Sequence, residues 1–321
     1  MPRGIRYAAP HELSPQARFS MKLTCGITIP THNRKADLER TCRAIAKLDP
    51  PPNEVLICAD GCTDGSAELI QSAFPQFRLI VNKESRGSIA SRDAMMRAAK
   101  SDVLISLDDD SYPLETDAIE RVRQLFSSND ALAVAAFPQR SDEAPASLPQ
   151  TDFGPAHFIG TFSNAGAAIR RSAFLQLGGY PVHFWHAYEE PDFALRCVVA
   201  GFEVKFEPAV TIRHHYTGVQ RNEMRTHHFH ARNELWSALM RCPLPQLFAV
   251  AAFRAVRQFG YAKKRGLRWM LNEPRWWFSA LKLSSTLRAR SPLPWRKYRA
   301  WMELVRSPIF SEAEWRRKFA E

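Results

Sequence analysis

Asp108, Asp109 and Asp110 follow directly on Asp102–Leu107, an apolar run of strand length. Three adjacent carboxylates repel one another and are costly to desolvate, so they need open water or a cation. Hard divalent ions take one or two carboxylates together with phosphate oxygens, and the end of a buried parallel strand is where such ligands bind. An acidic turn capping the next helix is the competing reading. Two further sets of polar residues stand at expected strand ends. Pro30-Thr31-His32-Asn33-Arg34 offers a hydroxyl, an amide and a guanidinium that could hold a nucleotide or simply form a turn. Asp60 is placed to accept hydrogen bonds from a base or ribose, and an Asp-Gly turn explains it equally well. The chain has no Gly-rich phosphate loop of the GxGxxG or GxxxxGK type, so phosphates must be held mainly through a metal.

A fourth set is Tyr188-Glu189-Glu190-Pro191-Asp192-Phe193-Ala194-Leu195-Arg196. Pro191 fits the first position of a helix that runs to Ala200 with Gly201 behind it. That placement makes Glu190 the N-cap, where the helix field favours a carboxylate. Asp192 and Arg196 lie one turn apart and can pair, a structural role. Glu190 is then a candidate general base, against the plainer reading of a solvated acidic turn.

The elements that must position these residues alternate in kind. Strand signals at Leu23–Ile29, Val55–Cys58, Leu79–Val81, Asp102–Leu107 and Leu132–Phe137 are separated by helical periodicity. That periodicity runs over Asp37–Leu48, a short stretch after Gly65, Ser88–Lys100 and Ala118–Phe126. Such alternation implies βαβ units and a mainly parallel sheet flanked by helices, an α/β fold. Residues 138–157 are rich in Pro, Ser and Asp and read as a long mobile loop.

Together these motifs resemble family 2 glycosyltransferases with the GT-A fold, in particular bacterial polysaccharide and rhamnosyltransferase-like members. The resemblance rests on Pro-Thr-His-Asn-Arg after strand one, Ala-Asp-Gly-Cys-Thr-Asp-Gly after strand two, Leu-Asp-Asp-Asp after strand four, and Glu-Glu-Pro-Asp-Phe-Ala-Leu-Arg. Arg86-Gly87 with Ala90-Ser91-Arg92-Asp93 resembles the family's G-x-x-x-A-R-N segment. Gly166–Tyr180 resembles its acceptor wall, and Ala231–Trp236 is also similar. The resemblance implies that Thr31, Arg34 and Asp60, with Pro30, Asn33 and Arg86, hold the nucleotide sugar, and that Asp109 lies near its ribose. Asp108 and Asp110 match the metal-binding DxD pair, and His214 falls where members supply a histidine to the metal. Mn²⁺ and Mg²⁺ both suit that donor set. His215 is the substitute ligand, and strand alternation points the two histidines in opposite directions.

Glu190 matches the base, with Glu189 in reserve because a Glu stands where the family has Asp. Ala59, Cys62 and Asp93 are further departures from the usual pattern. The implied reaction is inverting transfer from a UDP- or dTDP-sugar to a hydroxyl of a glycan or lipid-linked acceptor, in cell-surface polysaccharide or glycoconjugate synthesis. A nucleotidyltransferase on a related fold and a non-catalytic nucleotide-sugar-binding module are the alternatives.

Charge divides the chain. Residues 218–321 hold 21 Lys and Arg against 7 Glu and no Asp, a net +14, whereas residues 1–217 carry −3. Seven of the eight tryptophans lie in the same last third. The expected organisation is a flexible tail over 1–20, a GT-A domain over 21–217 and a basic, Trp-rich helical region over 218–321. That region suits an anionic membrane surface, with Trp at the interface, or a subdomain whose tryptophans pack inward under solvated charges. No nucleic acid is expected, and His227, His228 and His230 read as solvated histidines. The longest apolar run, Leu247–Phe253, is far too short to span a bilayer, and the first twenty residues lack the apolar core of a secretory signal. The six cysteines have neither CxxC spacing nor the density of a disulfide framework. The expected location is cytoplasmic, with peripheral docking at the inner face of the cell membrane.

Overall fold

The structure is a computed structural model that describes residues 23–141, 154–215 and 222–320. The tail expected over 1–20 and the middle of the 138–157 stretch lie outside the described residues.

The strands in chain order are β1 (Cys25–Thr31), β2 (Val55–Asp60), β3 (Arg78–Asn82), β4 (Val103–Leu107), β5 (Ser111–Pro113), β6 (Leu132–Ala136), β7 (Gln139–Arg140), β8 (His157–Phe158), β9 (Gly166–Arg170), β10 (Glu203–Phe206) and β11 (Ile212–His214). Eight form one twisted sheet in the order β3-β2-β1-β4-β9-β6-β10-β8. β3, β2, β1 and β4 run parallel, as do β6 and β10; β9 is inserted antiparallel between β4 and β6, and β8 pairs antiparallel with β10. The fold is therefore mixed α/β with a mainly parallel sheet. The parallel arrangement sends the ends of β1, β2 and β4 to one rim.

Alternation along each strand divides its side chains between two cores. Val55 and Ile57 of β2 and Val103, Ile105 and Leu107 of β4 face one core. Leu56, Cys58 and Leu104 face the other. The first core is completed by α1 (Lys35–Ile45), α2 (Ser66–Ala73) and α4 (Ala118–Ser127). The second takes α3 (Ser88–Ala98), α5 (Arg171–Gln176) and α6 (Glu189–Val199). Each apolar side chain buried there contributes about 1.5–3 kcal/mol.

Seven helices follow the sheet: α7 (Glu223–Arg241), α8 (Gln246–Arg265), α9 (Leu267–Asn272), α10 (Pro274–Ala280), α11 (Ser284–Arg288), α12 (Trp295–Leu304) and α13 (Glu312–Trp315). Trp236, Tyr298, Trp301 and Trp315 join the second core, continuous with the sheet. Trp276 is also buried, so most of the tryptophans pack inward instead of lining an outer surface. The histidines depart from expectation too. His227 is buried, with Nε2 2.7 Å from Glu273 Oε1, an acid supplied by a distant turn.

α8 is inverted relative to an ordinary surface helix. Arg254 and Gln258 face inward onto Glu234, while Phe248, Phe253 and Val256 are exposed. Near the other end of the chain, Ile309 closes the outer edge of the large sheet. Phe158 N donates to Ile309 O (2.8 Å), Ile309 N donates to Phe158 O (3.2 Å), and Trp315 stacks on the Phe158 ring at 4.3 Å.

All six cysteines are free, and burial pushes the Cys25 and Cys42 thiols up to about 12, which makes them inert.

Candidate functional site

The aspartates begin where β4 ends. A tight turn, closed by Ser111 N donating to Asp108 O at 3.1 Å, leads straight into β5. Asp109 is buried and accepts from Thr31 Oγ1 (2.8 Å) and Arg34 Nη1 (2.6 Å). Arg34 Nη2 donates to Asp110 Oδ2 at 2.6 Å, so one guanidinium spans two acids. Arg92 on α3 contacts Asp108 and also donates to Ser106 Oγ (2.7 Å) and Leu107 O (3.0 Å). The triplet is therefore a packed cluster braced by two arginines, and the solvated acidic turn is excluded for Asp109 and Asp110. Burial pushes Asp109 up to about 7 despite Arg34. Burial works the same way on Asp110, but the nearby His214 and Arg34 outweigh it and hold that carboxyl well below the usual range.

A small sheet, β5-β11-β7, covers this rim. Its register sets His214 opposite Ser111, and His215 N donates to Asp110 O at 2.9 Å. His214 Nε2 lies 3.2 Å from Asp110 Oδ1 and 4.0 Å from Asp108 Oδ2. Ligand atoms from Asp108, Asp110 and His214 all fall within 4.8 Å of one another. His214 Nδ1 is 2.8 Å from Gln139 Oε1, an acceptor that takes the Nδ1 proton. The Nε2 lone pair then faces carboxylate oxygen, an arrangement that is repulsive unless a cation lies between them or the ring is protonated. Two carboxylates and a neutral imidazole are a donor set that fits Mn²⁺ or Mg²⁺. His215 points the other way, its Nε2 3.0 Å from Tyr112 OH.

The stretch 138–157, expected to be a loop, thus supplies β7 and with it Gln139. Pairing with Ile212–Arg213 orders Gln139 and Arg140.

The neighbouring rim residues build a loop scaffold. Asp60 accepts from Asn82 Nδ2 (2.7 Å), Arg86 N (2.9 Å), Ser85 Oγ (2.8 Å) and Gly87 N (3.0 Å). Burial opposes its charge, yet these donors hold its pKa below the ordinary value. Its side chain therefore shapes the turn that carries the exposed Arg86. Pro30 is buried in β1, and Asn33, at φ 53°, accepts from Thr63 N at 2.7 Å, which ties the β1 and β2 loops together.

On the opposite side, the turn Val182–Phe184 leads into a strap in which Trp185, Ala187 and Tyr188 all have positive φ (69°, 66° and 72°). Such residues cost about 1–3 kcal/mol each and persist only where the surroundings over-determine them. Two things do so here. Asn233 of α7 is fully buried and donates to Phe184 O (3.1 Å), His186 O (2.8 Å) and Ala187 O (2.8 Å). Gly87, at φ 89°, lets the strap approach so closely that a Cβ there would sit 2.5 Å from Trp185 O.

The strap delivers Glu189 and Glu190. α6 begins at Glu189 with Tyr188 as N-cap, two residues earlier than Pro191 implied. Backbone N–H groups throughout the first turn lack helical partners, so proline fits inside it, and Glu190 is a first-turn residue instead of the cap. Asn164 N donates to Glu190 Oε1 (3.3 Å) and Asn164 Nδ2 to Glu189 Oε1 (3.1 Å). Burial raises both carboxyls above the ordinary range, Glu189 most strongly. Glu189 Oε2 has no donor, which suits an oxygen carrying its own proton, and the Glu190 carboxylate is the acceptor within reach.

Arg92 acts electrostatically on both glutamates while touching Asp108, so one guanidinium links the acids of the rim to those of the strap. Asp192, by contrast, is fully buried and spent on Arg196 and Arg241, the structural role expected of it. Sequence reasoning gave no role to Arg92, Gln139, Asn164 or Asn233. Arg92 and Asn233 lay in segments already singled out; nothing in the local pattern marks the other two.

Residues 27–181 match the model of the family described as "Glycosyl transferase family 2". An O-antigen chain rhamnosyltransferase of Salmonella anatum is 25% identical over 229 residues, covering 64% of this chain and 72% of that protein. Among solved structures, a mannosyltransferase from Pyrobaculum calidifontis, in complex with GDP-Man and Mn²⁺, superposes with a TM-score of 0.54 at 14% identity. The superposition covers 90% of this chain and 88% of that one. TarS from S. aureus, in complex with UDP-GlcNAc, does so with a TM-score of 0.57 at 14% identity over 88% of this chain and 92% of that one. With the sheet order and the rim just described, the segment 27–181 is that of a family 2 glycosyltransferase, on the GT-A fold shared with both solved structures.

Proposed function

We propose that this enzyme moves a sugar, with rhamnose the foremost candidate, from a UDP- or dTDP-linked donor to a hydroxyl of a glycan or lipid-linked acceptor, with inversion. The observation that carries the reading is the shared guanidinium: Arg92 joins the Asp108–Asp110–His214 donor set to the Glu189–Glu190 pair. A divalent cation, Mn²⁺ or Mg²⁺, held by Asp108, Asp110 and His214 would neutralise charge growing on the diphosphate leaving group. Thr31, Arg34, Asp109 and the turn built on Asp60 frame the nucleotide, with Pro30, Asn33 and Arg86 at its border. Glu190 accepts the proton of the acceptor hydroxyl as that oxygen attacks the anomeric carbon from the face opposite the diphosphate. One base acting on the acceptor oxygen requires no covalent sugar intermediate, hence inversion.

The rhamnosyltransferase relative supports the sugar, and the Mn²⁺ and nucleotide-sugar complexes of the structural neighbours support the donor class and the metal. A thermal-shift screen of UDP-, dTDP- and GDP-sugars with Mn²⁺, followed by product analysis, tests it. Free sugar with nucleoside diphosphate supports transfer; release of pyrophosphate marks a nucleotidyltransferase, and binding without turnover marks a binding module.

No helix among the described residues is long and apolar enough to cross a membrane. The outward stripe of α8, ending in Lys263, Lys264 and Arg265, supports peripheral docking on an anionic bilayer. Phe248→Ser with Phe253→Ser should abolish co-sedimentation with phosphatidylglycerol vesicles; unchanged sedimentation rejects that orientation.

A further inference from the structure

A second pocket, of about 340 Å³, opens between α7 and α10 and is lined by Arg225, His228, Phe229, Arg232, Arg275 and Trp276. Among the described residues, no carboxylate forms an ion pair with Arg225, Arg232 or Arg275. Arg232 spends its donors on neutral oxygens: Phe184 O (2.7 Å), Asn233 Oδ1 (2.9 Å) and Ser279 Oγ (3.3 Å). Burial lowers its pKa to about 10 with no acid to restore it. Its guanidinium lies 4.2 Å over the Trp236 ring and 4.9 Å over Phe229. Arg225 and Arg275 have no ion-pair partner among the described residues, and His228 Nε2 is buried without a hydrogen bond.

The nearest acids are committed elsewhere, Glu223 to Arg265 (3.3 Å) and Glu273 to His227 and Trp276 (both 2.7 Å). Other arginines of α7 and of its neighbour α8 behave differently: Arg241 pairs with Asp192, and Arg254 and Arg257 pair with Glu234. Three guanidiniums converging with no counter-charge, at the N-terminal turns of α7, form a site for an anion with several oxygens.

The position of the pocket narrows the ligand. Its floor is the strap: Arg232 holds Phe184 O, and Phe229 meets the His186 ring edge-on at 6.1 Å. His186 in turn lies 3.1 Å from Ser88 Oγ and within the field of Asp108. The pocket thus adjoins the strap, away from the rim where the donor is framed. Beside it on the surface, Phe278 and Leu281 are 72% and 71% exposed. A phosphate group flanked by apolar surface and one strap away from the base matches a sugar carried on a lipid diphosphate.

We propose that the Arg225–Arg232–Arg275 pocket binds the diphosphate of a lipid-linked acceptor, with the acceptor sugar reaching Glu190 and the lipid chain lying over Phe278 and Leu281. This rests on the reading that the acceptor hydroxyl meets Glu190.

The probe is farnesyl diphosphate, titrated calorimetrically into the full chain with and without saturating UDP and Mn²⁺. Arg225 and Arg275 are exposed, so R225Q/R275Q should fold normally, as checked by thermal unfolding. The expected result is saturable binding that weakens at least about tenfold in the double variant, the scale of losing charge-assisted contacts. UDP affinity should be unchanged in that variant, and farnesol should bind far more weakly than the diphosphate. Equal farnesyl diphosphate affinity in wild type and variant overturns the proposal. So does displacement of farnesyl diphosphate by UDP, which assigns the pocket to the donor, or equal binding of farnesol, which leaves only apolar contact. Failure of the sugar-transfer reading shows separately, as absence of nucleotide-sugar hydrolysis by the wild-type chain.

Discussion

Asp108–Asp110 on the rim and Glu189–Glu190 on the strap are both runs of adjacent carboxylates, yet they are kept in opposite ways. The rim acids are gripped by arginines, Arg34 across Asp109 and Asp110 and Arg92 on Asp108. The strap acids accept from Asn164, form no ion pair among the described residues, and sit deep enough for burial to favour their protonated forms. Asp110, a candidate metal ligand, is held charged by His214 and Arg34, while burial pushes its neighbour Asp109 up to about 7. A carboxylate that must receive a proton works best with a pKa nearer the working pH, which burial without a counter-ion provides. One residue chemistry, placed in two environments, is directed to two tasks.

The contrast can be broken at its centre. Glu190→Gln keeps size and hydrogen bonding but cannot take a proton. Turnover should fall at least about a hundredfold, with nucleotide binding by calorimetry unchanged. Near-normal turnover would remove Glu190 from its role. The strap depends on Asn233, whose amide serves three carbonyls; Asn233→Ala should cost about 1–3 kcal/mol in urea unfolding, the loss of satisfied buried donors and acceptors. An unchanged midpoint would show that the strap holds itself.

On the rim, Gln139→Leu frees the Nδ1 side of His214. Mn²⁺ affinity should drop about tenfold, as for the loss of an orienting partner behind a ligand, while metal-free stability stays near wild type. The smallest effect is a pH shift. Because burial raises the Glu190 carboxyl, turnover should decline as pH falls through a value above the ordinary glutamate range. Glu189 lowers the Glu190 pKa by donating its proton, so Glu189→Leu should move that acid limb to higher pH, whereas Glu189→Gln, still a donor, should leave it in place. Identical limbs in the two variants would show that no proton is shared.

The parallel half of the sheet was legible in the sequence because its strands are five to seven residues long, with β1, β2 and β4 buried along their whole length, and because polar residues cluster where each one ends. The small sheet was not. β5, β7 and β11 have three, two and three residues, too few for any period to show, so His214 was placed by resemblance and Gln139 was read as loop. The strap escaped for another reason: left-handed turns are usually announced by glycine, and Trp185, Ala187 and Tyr188 are held there by a side chain about fifty residues further on. α8 misleads in its own way. Its apolar stripe is real but faces out, and a hydrophobic period cannot say which side of a helix is inside.

The pairing of Phe158 with Ile309 has a consequence for how the chain is made. Synthesis runs from the N-terminus, and the outer edge of β8 waits, unpaired on that side, until Ile309 has emerged. Until then the nascent protein presents an open β edge and an uncovered Phe158 ring, the features that invite strands from other chains. A version cut after residue 217 would retain the rim and both strap glutamates but keep that edge permanently exposed. Such a fragment is expected to precipitate as it is expressed.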